Sequence, residues 1–118
     1  MAELFAIAVP IVPGKEEEWK KWFSELKEGR YNDFVDARKS MKVHERTFLQ
    51  HTPMGDMIIV TLEGDDPQTA FTKFGPGDSE FAKWFREGIK NIHGIDLTQP
   101  LHGSLPELIM DSHPVEAL

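Results

Sequence analysis

Hydrophobic and polar positions along this chain alternate between two periods. From Glu3 to Val12 the large residues Phe5, Ile7, Val9 and Ile11 interleave with Leu4, Ala6, Ala8 and Pro10. Being apolar on both sides, this run predicts a central strand covered on both faces. Pro10 lies near its end and Pro13-Gly14 stops it, because proline cannot donate to a ladder. After Gly14 the period lengthens. Trp19, Trp22, Phe23 and Leu26 recur at i, i+3, i+4 and i+7, with Lys and Glu filling the other face. That is the pattern of an amphipathic helix, and its Glu-rich first turn suits the helix dipole. Gly29 costs about 1 kcal/mol against alanine inside a helix, which predicts a break or kink. Tyr31, Phe34, Val35 and Met41 then resume helical spacing, so the helix is expected to continue, bent, to about Lys39.

From Val43 to Glu63 two runs rich in β-branched and aromatic residues flank Thr52-Pro53-Met54-Gly55. Proline second and glycine fourth is turn chemistry, and the stretch predicts a β-hairpin. Asp66-Pro67 then opens a short helix expected over Gln68–Phe74, since aspartate caps free N–H groups and proline fits the first turn. Gly75-Pro76-Gly77 ends it. Asp78 or Ser79 caps a longer helix with Phe81, Trp84, Phe85, Ile89 and Ile92 as its buried stripe, and Gly94 stands where a C-terminal glycine belongs. Ile95 to Pro106 reads as a loop, Glu107 to Asp111 as a short last strand, and Ser112 to Leu118 as a tail. The order strand, helix, strand, strand, helix, strand is the ferredoxin-like α+β arrangement, here one domain over residues 1–111. Its antiparallel sheet would carry both helices on one face. The other face needs cover, and a second copy of the chain is the expected cover: a homodimer.

Composition narrows the partners. Asp and Glu number 20 against 13 Lys and Arg, and the net charge of -7 repels phosphate backbones and anionic bilayers. Neither nucleic acid nor membrane is an expected partner. The amino terminus lacks a basic n-region and its apolar run falls short of a ~20-residue span, so it is taken as a strand rather than a signal. The absence of cysteine removes thiolate chemistry and fits a reducing, cytoplasmic compartment. Five histidines are scattered without His-x-His or HExxH spacing, so no metal site is expected. No glycine-rich nucleotide motif or Gly-x-Ser-x-Gly pattern occurs, and no cofactor is implied.

Candidate chemistry gathers on the hairpin, where His44, Arg46, Phe48 and Gln50 share one face and Glu45, Thr47, Leu49 and His51 the other. Pairing His51 with Asp56 sets His44 opposite Glu63 and Arg46 opposite Thr61. A bulge at Gly55 would instead oppose Glu45 to Glu63, an unfavourable like-charge pair. The first register is preferred. In it His44, Arg46 and Glu63 form an acid-base and anion-holding trio: histidine moves a proton, arginine steadies negative charge, and glutamate fixes the imidazole. The plainer reading is a strand-end ion pair or dimer contact. Likewise Trp22, Trp84 and the phenylalanines at helical spacing could line an apolar pocket or simply pack. Phe74-Gly75-Pro76-Gly77 is either a lip over such a pocket or a helix break. His93 at a helix end suits a cation facing the dipole, and His102 and His113 read as loop and tail residues.

The run Ser79-Glu80-Phe81-Ala82-Lys83-Trp84-Phe85 leading to His93 is similar to the aromatic second helix of the monooxygenase branch of the dimeric α+β barrel superfamily. The chain also resembles that superfamily in its element order. The superfamily includes antibiotic biosynthesis monooxygenases, heme-degrading monooxygenases and stress-responsive small barrel proteins. The resemblance implies a homodimer, and a cofactor-independent oxygenase or isomerase acting on a small apolar or aromatic compound. His44, Arg46 and Glu63 would be catalytic, and Phe48, His51, Trp22, Trp84 and His93 would bind the ligand. Two alternatives stand beside it: a non-catalytic small-molecule-binding or stress-associated module, and heme binding through His93 with Trp84 nearby. For the last, the first strand lacks the asparagine of the heme-degrading pattern. Since the fold hosts many functions, the site must choose among them.

Overall fold

A computed structural model describes residues 3–74, 77–99 and 106–112. These form an α+β fold in the order β1 (Glu3–Pro10), α1 (Glu16–Glu28), α2 (Tyr31–Ser40), β2 (Val43–Thr52), β3 (Gly55–Gly64), α3 (Pro67–Thr72) and α4 (Glu80–His93). The sheet is antiparallel and three-stranded, ordered β1-β3-β2. The hairpin has no bulge: Val43 to Thr52 pair one to one with Gly64 to Gly55. Thr52 fixes the turn by accepting from the Met54 N–H at 3.1 Å and donating to the Gly55 carbonyl. Gly55 holds φ +122°, which residues with a Cβ rarely adopt.

β3, and not β1, is the central strand. β1 looks two-sided in the sequence because both of its faces are apolar, yet size separates them. Phe5 and Ile7 are buried under the helices, while Leu4 and Ala8 are exposed on the far side. Where a bent helix is expected, two separate helices occur. The N–H groups of Gly29 and Arg30 both reach the Glu25 carbonyl, at 2.8 and 3.0 Å, which closes α1 and lets α2 restart at Tyr31. The other boundaries follow side-chain chemistry. Asp66 accepts from Thr69 N–H at 3.2 Å to start α3, Ser79 rather than Asp78 accepts from Ala82 N–H at 3.0 Å to start α4, and Gly94 ends it left-handed at φ +69°.

The core lies between the sheet and the helices. Phe5, Ile7, Val43 and Leu62 meet Leu26, Phe74 and Phe85, and a smaller cluster joins Ile11, Ile58 and Ile92. Trp22 of α1 stacks on Trp84 of α4 with centroids 5.0 Å apart, and Gly88 leaves room for the Trp22 indole to sit against α4. The outer sheet face, with His44, Arg46 and Phe48, is exposed.

The last strand expected over Glu107–Asp111 is not part of the sheet. Residues 106–112 carry no regular structure, and Leu108, Ile109 and Met110 are 64%, 85% and 85% exposed. Their apolar side chains suit a strand, but no sheet edge receives them within one chain. Residues 113–118, His102 and the Gly75-Pro76 step of the expected lip lie outside the described residues. Among the described residues no helix is long and apolar enough to cross a membrane.

Candidate functional site: a cavity between sheet and helices

A cavity of about 70 Å³ opens between the two layers. Its floor is Ile7 and Val9 of β1, Val60 of β3 and Glu45 of β2, and its roof is Phe71, Phe74, Phe85, Ile89 and His93, with Ile95 and Leu97 from the segment after α4. The register dictates this floor, since Ile7 pairs with Val60 and Val60 with Thr47, all on the helix-covered side. Among the described lining residues only Glu45 and His93 are polar, and their polar atoms contribute almost none of the cavity surface.

Glu45 is held from behind. Its Oε1 accepts from Arg38 Nε at 2.6 Å and its Oε2 from Thr47 Oγ1 at 3.1 Å. Both side chains of the ion pair are almost wholly buried, at 6% and 7% exposure. The Arg38 guanidinium lies 3.8 Å from the Phe74 ring centre, 4.8 Å from Phe34 and 5.0 Å from Phe85. Among the described residues its Nη2 has no hydrogen-bond partner, and these aromatic faces take the place of one. A buried guanidinium is stable only when paired in this way.

His93 closes the other end. Its Nδ1 donates to the Pro10 carbonyl at 2.8 Å, which binds the end of α4 to the end of β1. Burial pushes its pKa down, opposed only in part by that hydrogen bond. The neutral ring is therefore favoured, and desolvation outweighs the helix-end cation expected from its position. With the proton on Nδ1, Nε2 carries the lone pair.

The remaining sequence candidates sit elsewhere. His44, Arg46 and Glu63 do share the outer sheet face in the preferred register, with His44 across from Glu63. Glu63 is engaged by Arg46 at 3.0 Å, a half-exposed pair. Phe48 is on the same face and exposed. His51 meets Asp56 at 2.7 Å near the hairpin tip. Trp22 and Trp84 stack within the helical layer, with Arg30 4.5 Å from the Trp84 ring, and neither lines the cavity. His93 alone of the eight candidates does. Sequence reasoning missed Arg38 and gave Glu45 no partner but Glu63. The available signal was the preferred register itself, which turns Glu45 onto the apolar face, where a charge demands a counter-charge.

What fold and site define together is a small α+β protein with an apolar interlayer cavity bordered by Glu45 and His93. Comparison with protein-family models, with curated proteins and with solved structures finds no match. A porphyrin does not fit a space of about 70 Å³ beside His93. Among the described residues no three acidic or histidine side chains cluster as a metal site.

Proposed function

We propose that the chain takes up a small apolar or aromatic compound in the cavity between its sheet and helices. The observation that carries this reading is a cavity whose described lining is nine apolar side chains with Glu45 and His93 at its margin and an almost wholly apolar surface, the pattern of an apolar small-molecule site. An occupant the size of benzene needs roughly 150 Å³, about twice the present space. Ile95 and Leu97, on the irregular segment after α4, are the wall best able to yield. Titration with toluene, followed by amide and methyl NMR, should shift Val60, Ile89 and Leu97. Ile89→Trp should fill the space and abolish the shifts. Wild-type spectra unmoved up to the solubility limit would sink the reading.

The same proposal includes a homodimer of the dimeric α+β barrel kind. The support is the exposed apolar surface: Leu4 and Phe48 on the outer sheet face, Met54 at the hairpin turn, and Leu108, Ile109 and Met110 beyond the sheet. In the assembly the outer faces of two sheets meet, and Glu107–Asp111 adds a fourth strand at an open edge. That contact would roof His44, Arg46 and Glu63, and it favours a second reading in which those three run cofactor-independent oxygenase or isomerase chemistry. Light scattering should give the mass of two chains; a single-chain mass at micromolar concentration would remove both the dimer and the roofed site.

A further inference from the structure

α2 contributes no side chain to the described cavity lining, yet its buried residue, Arg38, reaches three residues that do. Arg38 Cζ lies 3.8 Å from the ring centre of Phe74, which follows α3, and 5.0 Å from that of Phe85 in α4. Its Nε donates to Glu45 Oε1 on β2 at 2.6 Å, and Thr47 holds the other Glu45 oxygen at 3.1 Å. One planar group, on a side chain 5% exposed, thus joins three parts of the chain that border the cavity. From this juxtaposition we infer that Arg38 is the positioning residue of the cavity: without touching an occupant, it holds the Phe74 and Phe85 rings in place and so sets the largest ring the space accepts. The inference rests on the cavity being a ligand site, as proposed above.

The physical basis is the flat, delocalised guanidinium, which can lie against an aromatic face while its edge donates to a carboxylate. A lysine ammonium keeps the charge but has no plane to press on a ring. Phe34 approaches the same group at 4.8 Å and restricts it further. The rest of the wall is looser. Ile95 and Leu97 follow Gly94 on an irregular segment, and the hydrogen bonds of Asp96 run to Thr98 and Gln99 within that segment. Packing and hydrogen bonds to neighbouring side chains are what keep a site's geometry fixed. An occupant that enlarges the space therefore displaces Ile95 and Leu97 before the two rings, and one that needs the rings to move is excluded.

Toluene and mesitylene, which carries three methyl groups where toluene carries one, test this by NMR titration of the wild-type chain. The wild type should favour toluene, since a methyl that a fixed wall cannot accommodate costs about tenfold or more. Arg38→Lys removes the planar group and leaves Glu45 a cation; Arg38→Met combined with Glu45→Leu removes the plane and both charges. In each variant the preference for toluene should fall by about tenfold, with toluene binding kept. A role confined to stability would lower the melting temperature and leave that ratio unmoved. An unmoved ratio in either folded variant, or a wild type that takes mesitylene as tightly as toluene, overturns the inference and leaves the cavity reading standing. A wild type that binds neither compound removes both. Should neither variant fold, the wild type still decides: a clamped guanidinium rotates slowly, so the Arg38 Nη hydrogens should give separate NMR signals, and a single averaged signal overturns the inference.

Discussion

Arg38 Nε and Glu45 Oε1 lie 2.6 Å apart beneath the helical layer, an ion pair with almost no exposure at either end. Such pairs add little net stability over an apolar replacement, but breaking one strands a charge. Arg38→Met should therefore destabilise by about 3–5 kcal/mol, read from urea unfolding. Adding Glu45→Leu should recover most of that loss. A double variant as weak as the single one would show that the guanidinium acts mainly by packing on Phe34, Phe74 and Phe85.

A second expectation concerns acid. The folded-state pKa of His93 lies below its ordinary value of 6.5 because burial disfavours the charged ring. Where the unfolded chain binds more protons, stability falls as pH falls. His93 thus leaves stability intact above pH 6.5 and lowers it as pH drops through 6.5 toward the folded value. Glu18, Asp66 and Asp96, each held below its ordinary pKa by side-chain hydrogen bonds, act in the same direction in a lower window, below 4.5 for Glu18 and below 3.8 for the aspartates. Thermal unfolding between pH 5 and 7 should lose its acid-side slope in His93→Phe, and an unchanged slope would place the titration elsewhere.

Gly88 is the third case. Within a helix, alanine should improve on glycine by about 1 kcal/mol. Here a Cβ would overlap Nε1, Cε2 and Cδ1 of the Trp22 indole, whose N–H is already buried without a partner among the described residues. Gly88→Ala should lower stability by about 1–3 kcal/mol as an overpacked site, with loss of the near-ultraviolet signal of the Trp22–Trp84 stack. A rise in melting temperature would mean that the indole moves aside freely.

The cap at Ser79 makes a milder test. Ser79→Ala removes the acceptor for Ala82 N–H and should cost about 1 kcal/mol, while Asp78→Ala should be near neutral. The reverse order would return the start of α4 to Asp78.

Several of these features are legible in the chain because they are local. The stripe of α1, the Asp66-Pro67 start, the Gly94 stop and the hairpin register each follow from spacing and turn chemistry. The like-charge argument against facing Glu45 to Glu63 selects the observed pairing. Gly29 signals a break, though spacing alone cannot tell a kink from a full stop. Arg38 is hidden for another reason: in α2 it sits among Asp33, Asp36 and Lys39 like an ordinary surface residue, and only the way α2 lies against β2 buries it. The apolar run Leu108-Ile109-Met110 reads as a strand because its composition says so, but a strand needs an edge.

The cavity draws its wall from β1, β2, β3, α4, the α3 region and the segment after α4. No fragment of the chain contains it. Any occupant must then be released before the fold comes apart, so that a compound filling the space a hundredfold above its dissociation constant would add about 2.7 kcal/mol to the whole protein. Resistance to heat and to protease becomes a way of screening compounds against the proposed ligand space, with no reaction to assay.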